Sequence, residues 1–177
     1  MTLSTSFNIK NHLSETEGEL SLTMLETSMF TAFASIHRWQ EKFTEACDCS
    51  ISGTDNTILN VIRFNERPKG LSDIASFLNR TDLSNIQYAI RKLVKLGLVQ
   101  KSKGTTKNQR KDVTYEATEA GLKLTGKFSE IRRELIYKAI SDAGFDQNTL
   151  QDMSQKINAM VGIYDNVARD MSVMKFD

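Results

Sequence analysis

The sequence has 177 residues, 40% of them apolar, and its 23 Lys and Arg against 22 Asp and Glu leave a formal net charge of +1. That composition supports one sizeable core and is too little for two comfortable ones. No run of about eighteen apolar residues occurs, and no basic segment is followed by an apolar one, so neither a membrane span nor a secretory leader is expected and the protein is read as cytoplasmic.

Residues 1–16 are polar, rich in Ser, Thr and Asn, and without sustained period, which predicts a mobile arm. From Gly18 to Ala46, apolar side chains fall at Leu22, Leu25, Met29, Ala32, Phe33, Ile36, Trp39 and Phe43, the spacing of one long amphipathic helix. Ser52-Gly53-Thr54-Asp55 carries a capping-box pattern ahead of Ile58, Leu59, Val61, Ile62 and Phe64, a second helix that Pro68-Lys69-Gly70 should stop.

A third helix is expected from Leu71, with Ser72 as N-cap and Ile74, Ala75 and Leu78 turned inward. Asn79 to Asp82 read as a turn. The next helix runs from Leu83 to Leu96 on a stripe of Ile86, Ile90, Leu93 and Val94, and Gly97 supplies its left-handed stop. Leu98–Lys101 and Val113–Ala117 read as strands joined by the polar loop 102–112, a hairpin of the kind called a wing.

Thr118 should cap a helix carrying Leu122, Leu124, Phe128, Ile131, Leu135 and Ala139 and ending before Gly144. A last helix spans Gln147 to Met171 with Leu150, Met153, Ile157, Met160, Val161, Tyr164, Val167 and Met171 on one face. These terminal helices and the long first one offer more apolar surface than one small core could cover, so a two-fold partner, a homodimer, is expected. The methionines among them read as adaptable core or interface.

Charge is distributed very unevenly along this pattern. Between residues 80 and 111 lie Arg80, Arg91, Lys92, Lys95, Lys101, Lys103, Lys107, Arg110 and Lys111 against Asp82 alone, a net +8, so the remainder of the chain nets −7. The cations coincide with the two elements that a winged helix-turn-helix inserts into DNA, and duplex DNA is therefore the expected partner. The fold class is mainly α with a small β-hairpin: a winged helix-turn-helix (51–117) flanked by a dimerisation helix (17–50) and C-terminal dimerisation helices (118–177).

In that arrangement the early exposed residues of the second motif helix, Ser84, Asn85, Gln87 and Tyr88, face base edges. Gln and Asn can pair with adenine, and Tyr88 can meet a thymine methyl or the sugar-phosphate. Arg91 can reach guanine or phosphate, Lys92 and Lys95 bind phosphate or stay solvated, and Arg80 in the turn is at most a backbone contact. Arg110, among Lys103, Lys107 and Lys111, is placed to enter the minor groove.

Other chemistries find little support. Cys47 and Cys49 are too close to bridge easily and lack the second pair that zinc would need, so no disulfide and no metal is expected; ordinary thiols near a helix end is the first reading, with a redox-sensing pair as an alternative. With two histidines and no H-E-x-x-H, G-x-S-x-G, C-x-x-C or Gly-rich phosphate loop, no enzyme and no cofactor is expected. A winged helix serving as a protein-interaction module for an acidic partner remains the alternative from another class.

The order of elements over residues 18–171 resembles the MarR family of bacterial transcriptional regulators. Leu71-x-x-Ile74-Ala75-x-x-Leu78 is similar to the family's first motif helix, Leu93-x-x-x-Gly97-Leu98-Val99 to its helix-to-wing junction, and Thr118-Glu119-Ala120-Gly121 to the start of the following helix. Two departures stand out: Gln109-Arg110-Lys111 replaces the usual Asp-Arg-Arg of the wing, and Gln87 and Tyr88 stand where Thr and Arg are frequent. The resemblance implies a repressor released by an aromatic or phenolic effector bound between the DNA-binding lobe and the dimerising helices. His37, Arg38 and Trp39 are the cluster that combines a cation, an aromatic wall and a titratable ring; Arg38 could clamp a carboxylate while Trp39 stacks. The alternative is ordinary packing for Trp39 and a surface or dimer ion pair for Arg38.

Overall fold

The computed structural model describes residues 12–102 and 113–174. The chain divides into two compact units, Met1–Thr125 and Gly126–Asp177. Most of the expected arm, and the wing loop with Lys103, Lys107, Arg110 and Lys111, lie outside the described residues.

In the first unit, α1 (Glu17–Ala46) opens on a capping box: the Glu19 N–H donates to Thr16 Oγ1 at 3.2 Å, and the Thr16 N–H donates to Glu19 Oε2 at 2.9 Å. Only Phe43 and Thr44 of this 30-residue helix are buried, while Leu22, Leu25, Phe33 and Ile36 of its stripe stand exposed. α2 (Gly53–Arg63) begins with the Ser52/Asp55 capping box that the sequence predicts. It packs on α1 through polar contacts: the Gly53 N–H donates to Glu41 Oε1 at 2.7 Å, and Thr57 Oγ1 donates to Gln40 Oε1 at 2.6 Å.

The core forms where α2 meets α3 (Leu71–Phe77) and α4 (Leu83–Lys95). Ile58, Leu59 and Ile62 of α2, Ile74 of α3, and Ile86, Ile90 and Leu93 of α4 are fully buried. Hydrophobic burial on this scale supplies most of what holds these short helices together, none of which would be stable alone.

Several local expectations are corrected. Phe64 does not continue the buried stripe of α2, because Asn65 and Glu66, at φ 61° and 49°, reverse the chain just after it; its ring meets that of Phe77 at a tilt of 58° with centroids 5.0 Å apart, and both are half exposed. Val94 also lies off the core. The N-cap of α3 is Gly70 rather than Ser72, with Asp73 Oδ2 accepting the Gly70 N–H at 3.0 Å. Lys69 and Gly70 form a short strand, β1, which the sequence pattern does not predict.

β2 (Val99–Lys101) and β3 (Thr114–Ala117) are the expected hairpin strands. β3 is central in the antiparallel order β1-β3-β2, pairing Lys69 with Tyr115 on one side and Val99 with Ala117 on the other. Lys69 is almost fully buried, and its ammonium donates to the carbonyls of Ile62 (3.1 Å), Arg67 (3.2 Å) and Phe64, closing the C-terminal end of α2. Burial lowers its pKa from the ordinary lysine value, with Arg67 adding to the effect.

Gly97, at φ 71°, ends α4 as predicted. Thr118 ties the base of the hairpin to this helix end: its N–H donates to Leu98 O at 3.0 Å, its hydroxyl donates to Gly97 O at 2.6 Å, and the same Oγ1 accepts the Gly121 N–H at 3.2 Å. α5 (Glu119–Ile131) starts there. Arg63 of α2 reaches its first turns, donating to Thr125 Oγ1 at 2.8 Å and Leu122 O at 3.3 Å.

In the second unit, α5 passes through a π-helical turn (Arg132–Tyr137) into α6 (Lys138–Asp142), where the sequence predicts an uninterrupted α-helix. Gly144 breaks it at φ 91°, and α7 (Gln147–Met171) follows, with Asp146 Oδ1 accepting the Thr149 N–H at 2.8 Å. α7 has no buried residue: Met153, Ile157, Tyr164, Val167 and Met171 of its predicted face are all exposed. Among the described residues, no helix is long and apolar enough to cross a membrane.

Candidate nucleic-acid interface

α4 presents one outward stripe. Ser84, Gln87, Tyr88, Arg91 and Lys95 recur at three- and four-residue intervals and are all exposed, Tyr88 to 70%, opposite the buried Ile86, Ile90 and Leu93. This 13-residue helix is held by its core face, Ile86, Ala89, Ile90 and Leu93, which leaves the polar stripe free for a groove.

The turn that delivers this helix is tightly fixed. Asn79, at φ 48°, takes the left-handed position, and the Arg80 N–H donates to Ala75 O at 2.9 Å, closing α3. The Arg80 guanidinium then forks onto the Asp82 carboxylate, with Nε 2.7 Å from Oδ1 and the second bond to Oδ2, while Asn85 Nδ2 donates to Oδ2 at 3.0 Å. The Arg80 fork, seconded by Asn85, holds the Asp82 carboxyl well below the usual carboxylate range. One N–H of the Asn85 amide, expected to face a base, is thus already committed.

Lys92 also departs from its expected role. Its ammonium lies 2.7 Å from Asp55 Oδ2, and Asp55 is buried at the N-terminal turn of α2. Asp55 Oδ2 also accepts the Ser52 N–H at 2.9 Å. Arg91 and Lys95 remain exposed on the helix surface, and Lys101 extends the cationic surface onto β2.

A cavity of about 460 Å³ opens beside the turn, between α1, α2 and the α3–α4 connection. Phe33, Ile36, Ile58 and Leu78 form its apolar walls, and His37, Gln40, Thr54, Thr57 and Arg80 supply polar groups. His37 Nε2 lies 3.5 Å from Thr54 Oγ1 and 3.6 Å from Glu41 Oε1. Of the expected effector cluster only His37 lines this space; Arg38 points away and donates to Ser35 Oγ at 2.9 Å, and Trp39 is half-buried elsewhere on α1. The cation at the cavity is Arg80, expected from the sequence to be a backbone contact to DNA. Cys47 and Cys49, at the end of α1, are both thiols, with Cys49 Sγ 3.5 Å from Cys47 O.

Comparisons with known proteins agree with this geometry. Residues 51–121 match the family model of a winged helix DNA-binding domain. No curated protein matches the sequence. Among solved structures, a MarR-family regulator from Neisseria meningitidis is similar with a TM-score of 0.67 at 14% identity, covering 85% of this chain and 97% of that one. Staphylococcus aureus MepR in complex with DNA gives 0.59 at 19% identity, covering 84% and 96%. Staphylococcus aureus MarR in complex with salicylate and kanamycin gives 0.55 at 17% identity, again covering 84% and 96%.

Proposed function

We propose that this chain, a winged-helix protein with the fold of the MarR-family regulators, is a sequence-specific DNA-binding transcriptional regulator that acts as a homodimeric repressor. The observation that carries the reading is the exposed stripe of α4, Ser84, Gln87, Tyr88, Arg91 and Lys95, on a helix whose opposite face is locked into the core. Gln87 has both the oxygen and the NH2 of its amide available for a base edge, Asn85 retains its amide oxygen, and Arg91 and Lys95 carry charge toward phosphates. Lys103, Lys107, Arg110 and Lys111 of the wing loop add cations for the backbone and the minor groove. The exposed apolar faces of α1 and α7 support a second copy of the chain as partner.

The same reading gives the regulator a small aromatic or phenolic acid as releasing effector. Its place is the cavity lined by Phe33, Ile36, Ile58 and Leu78, with Arg80 and His37 as polar anchors, in place of Arg38 and Trp39. The similar fold of a protein solved with salicylate supports this choice of chemistry.

The test is titration of labelled duplex DNA by the full chain between 50 and 200 mM salt, followed by competition with unrelated sequence. A DNA-binding regulator loses affinity steeply with salt and retains a preference for one sequence, as phosphate neutralisation and base readout together require. A module for acidic proteins would show no preference among duplexes and would be displaced equally by any polyanion.

A further inference from the structure

The cations of α4 are not equivalent. Ser84, Gln87, Tyr88, Arg91 and Lys95 share one line along the helix, whereas Asn85 and Lys92 sit about 80–100° round from it, on the shoulder beside the buried face. Each shoulder residue is bonded to an aspartate, Asn85 to Asp82 at the start of the helix and Lys92 to Asp55 of α2.

Asp55 is 5% exposed. A carboxylate so buried must be compensated by hydrogen bonds and an opposite charge, and removing one partner leaves the other stranded at a large penalty. Here the Ser52 N–H and the Lys92 ammonium supply that compensation, both meeting Oδ2, at 2.9 and 2.7 Å. If Lys92 turned outward to a phosphate, it would uncover this buried charge. Arg91 and Lys95 give up nothing comparable when they meet a phosphate.

We infer that the Lys92–Asp55 ion pair is a strut that sets the pose of the recognition helix against α2, making both residues positioning residues for DNA recognition and removing Lys92 from the phosphate-contacting set. The inference rests on the DNA-binding reading above. The pair spans elements far apart in sequence and joins the two helices beside the buried face of α4. The neighbouring residues Thr54 and Thr57 of α2 line the cavity, so the helix that carries the strut also forms a cavity wall.

The test uses the full chain and a duplex carrying the site that the wild-type protein selects from a random library, with affinity measured across the same salt range. Each phosphate neutralised by a side chain adds about 0.9 to the slope of log affinity against log salt. Arg91→Gln and Lys95→Gln should each flatten that slope by this amount. Lys92→Gln should weaken binding with the slope unchanged, and adding Asp55→Asn to it should restore affinity toward wild type, because a neutral Asn–Gln pair replaces a broken ion pair. A phosphate ligand cannot be rescued from α2. The strut is overturned if Lys92→Gln flattens the slope like Arg91→Gln, or if Asp55→Asn makes the Lys92→Gln protein worse. Lys92→Gln alone decides the slope if the Asp55 variants do not fold. Wild-type protein that binds no duplex at all defeats the DNA-binding reading itself, and the strut with it.

Discussion

Gly121 lies against the backbone of Leu98 so closely that a Cβ built on it would stand 2.1 Å from the Leu98 carbonyl oxygen. That oxygen accepts the Thr118 N–H, so the glycine's missing side chain lets the first turn of α5 approach the junction between α4 and the hairpin. Gly121→Ala would push backbone against backbone and should destabilise the first unit by about 2–3 kcal/mol or prevent its folding. Gly162 in α7 is the control: nothing lies within 4 Å of its Cβ position, and Gly162→Ala should stabilise by about 0.5–1 kcal/mol. Urea unfolding of both variants measures the contrast.

The Asp82 carboxylate predicts an acid limb in the stability profile. Its folded pKa is depressed, first by Arg80 and then by Asn85, so its stabilising contribution is fully present above the unfolded value of about 3.9 and is lost as pH falls below it toward the folded value. Stability should therefore fall as pH drops below about 4, and Asp82→Asn should make that limb shallower. Thermal unfolding at stepped pH reads the difference. Equal limbs in the two proteins would remove the fork as a stabilising contact.

Lys69 is a further structural point of failure. Lys69→Met keeps the length of the side chain but leaves the carbonyls of Ile62, Phe64 and Arg67 without their shared donor, at a cost of about 1–3 kcal/mol. Chemical denaturation measures it. An unchanged midpoint would mean that water replaces the ammonium without penalty.

Much of this molecule is legible in its sequence because the signals are local. The capping pair Ser52 and Asp55, the stop at Gly97 and the Thr118–Gly121 start each act within a few residues, and the α4 stripe follows from helical period alone. What escaped is non-local or brief. Strand β1 has two residues and no period to read, and Phe64 leaves its stripe because two following residues adopt positive φ. Lys92 and Asp55 are 37 positions apart, so a cation that looks solvated on its own helix is spoken for by another. Arg38 and Trp39 sit together in sequence next to His37, yet the helix turns Arg38 to a serine outside the cavity, while Arg80 arrives there from the following motif.

Ligand binding should follow Arg80 rather than Arg38. Titration with salicylate and substituted benzoates, followed by fluorescence of Trp39, the single tryptophan, should show saturable binding that Arg80→Gln weakens at least tenfold and Arg38→Gln leaves unchanged. To release DNA, the ligand must prefer the DNA-free arrangement, so its apparent affinity should drop when duplex is present. The reverse pattern between the two arginine variants would return the effector to the Arg38–Trp39 side of α1.

The claim that α4 reads DNA sequence is tested most directly by selecting binding sites from a random duplex library with wild-type protein and with Gln87→Ala. The wild-type protein should select a pseudo-palindrome whose half-sites lie about one helical turn, roughly 34–36 Å, apart. Gln87→Ala should bind the wild-type site about 1–3 kcal/mol more weakly and lose preference at one or two positions in each half. A library that yields no consensus, or the same consensus with and without Gln87, would contradict it.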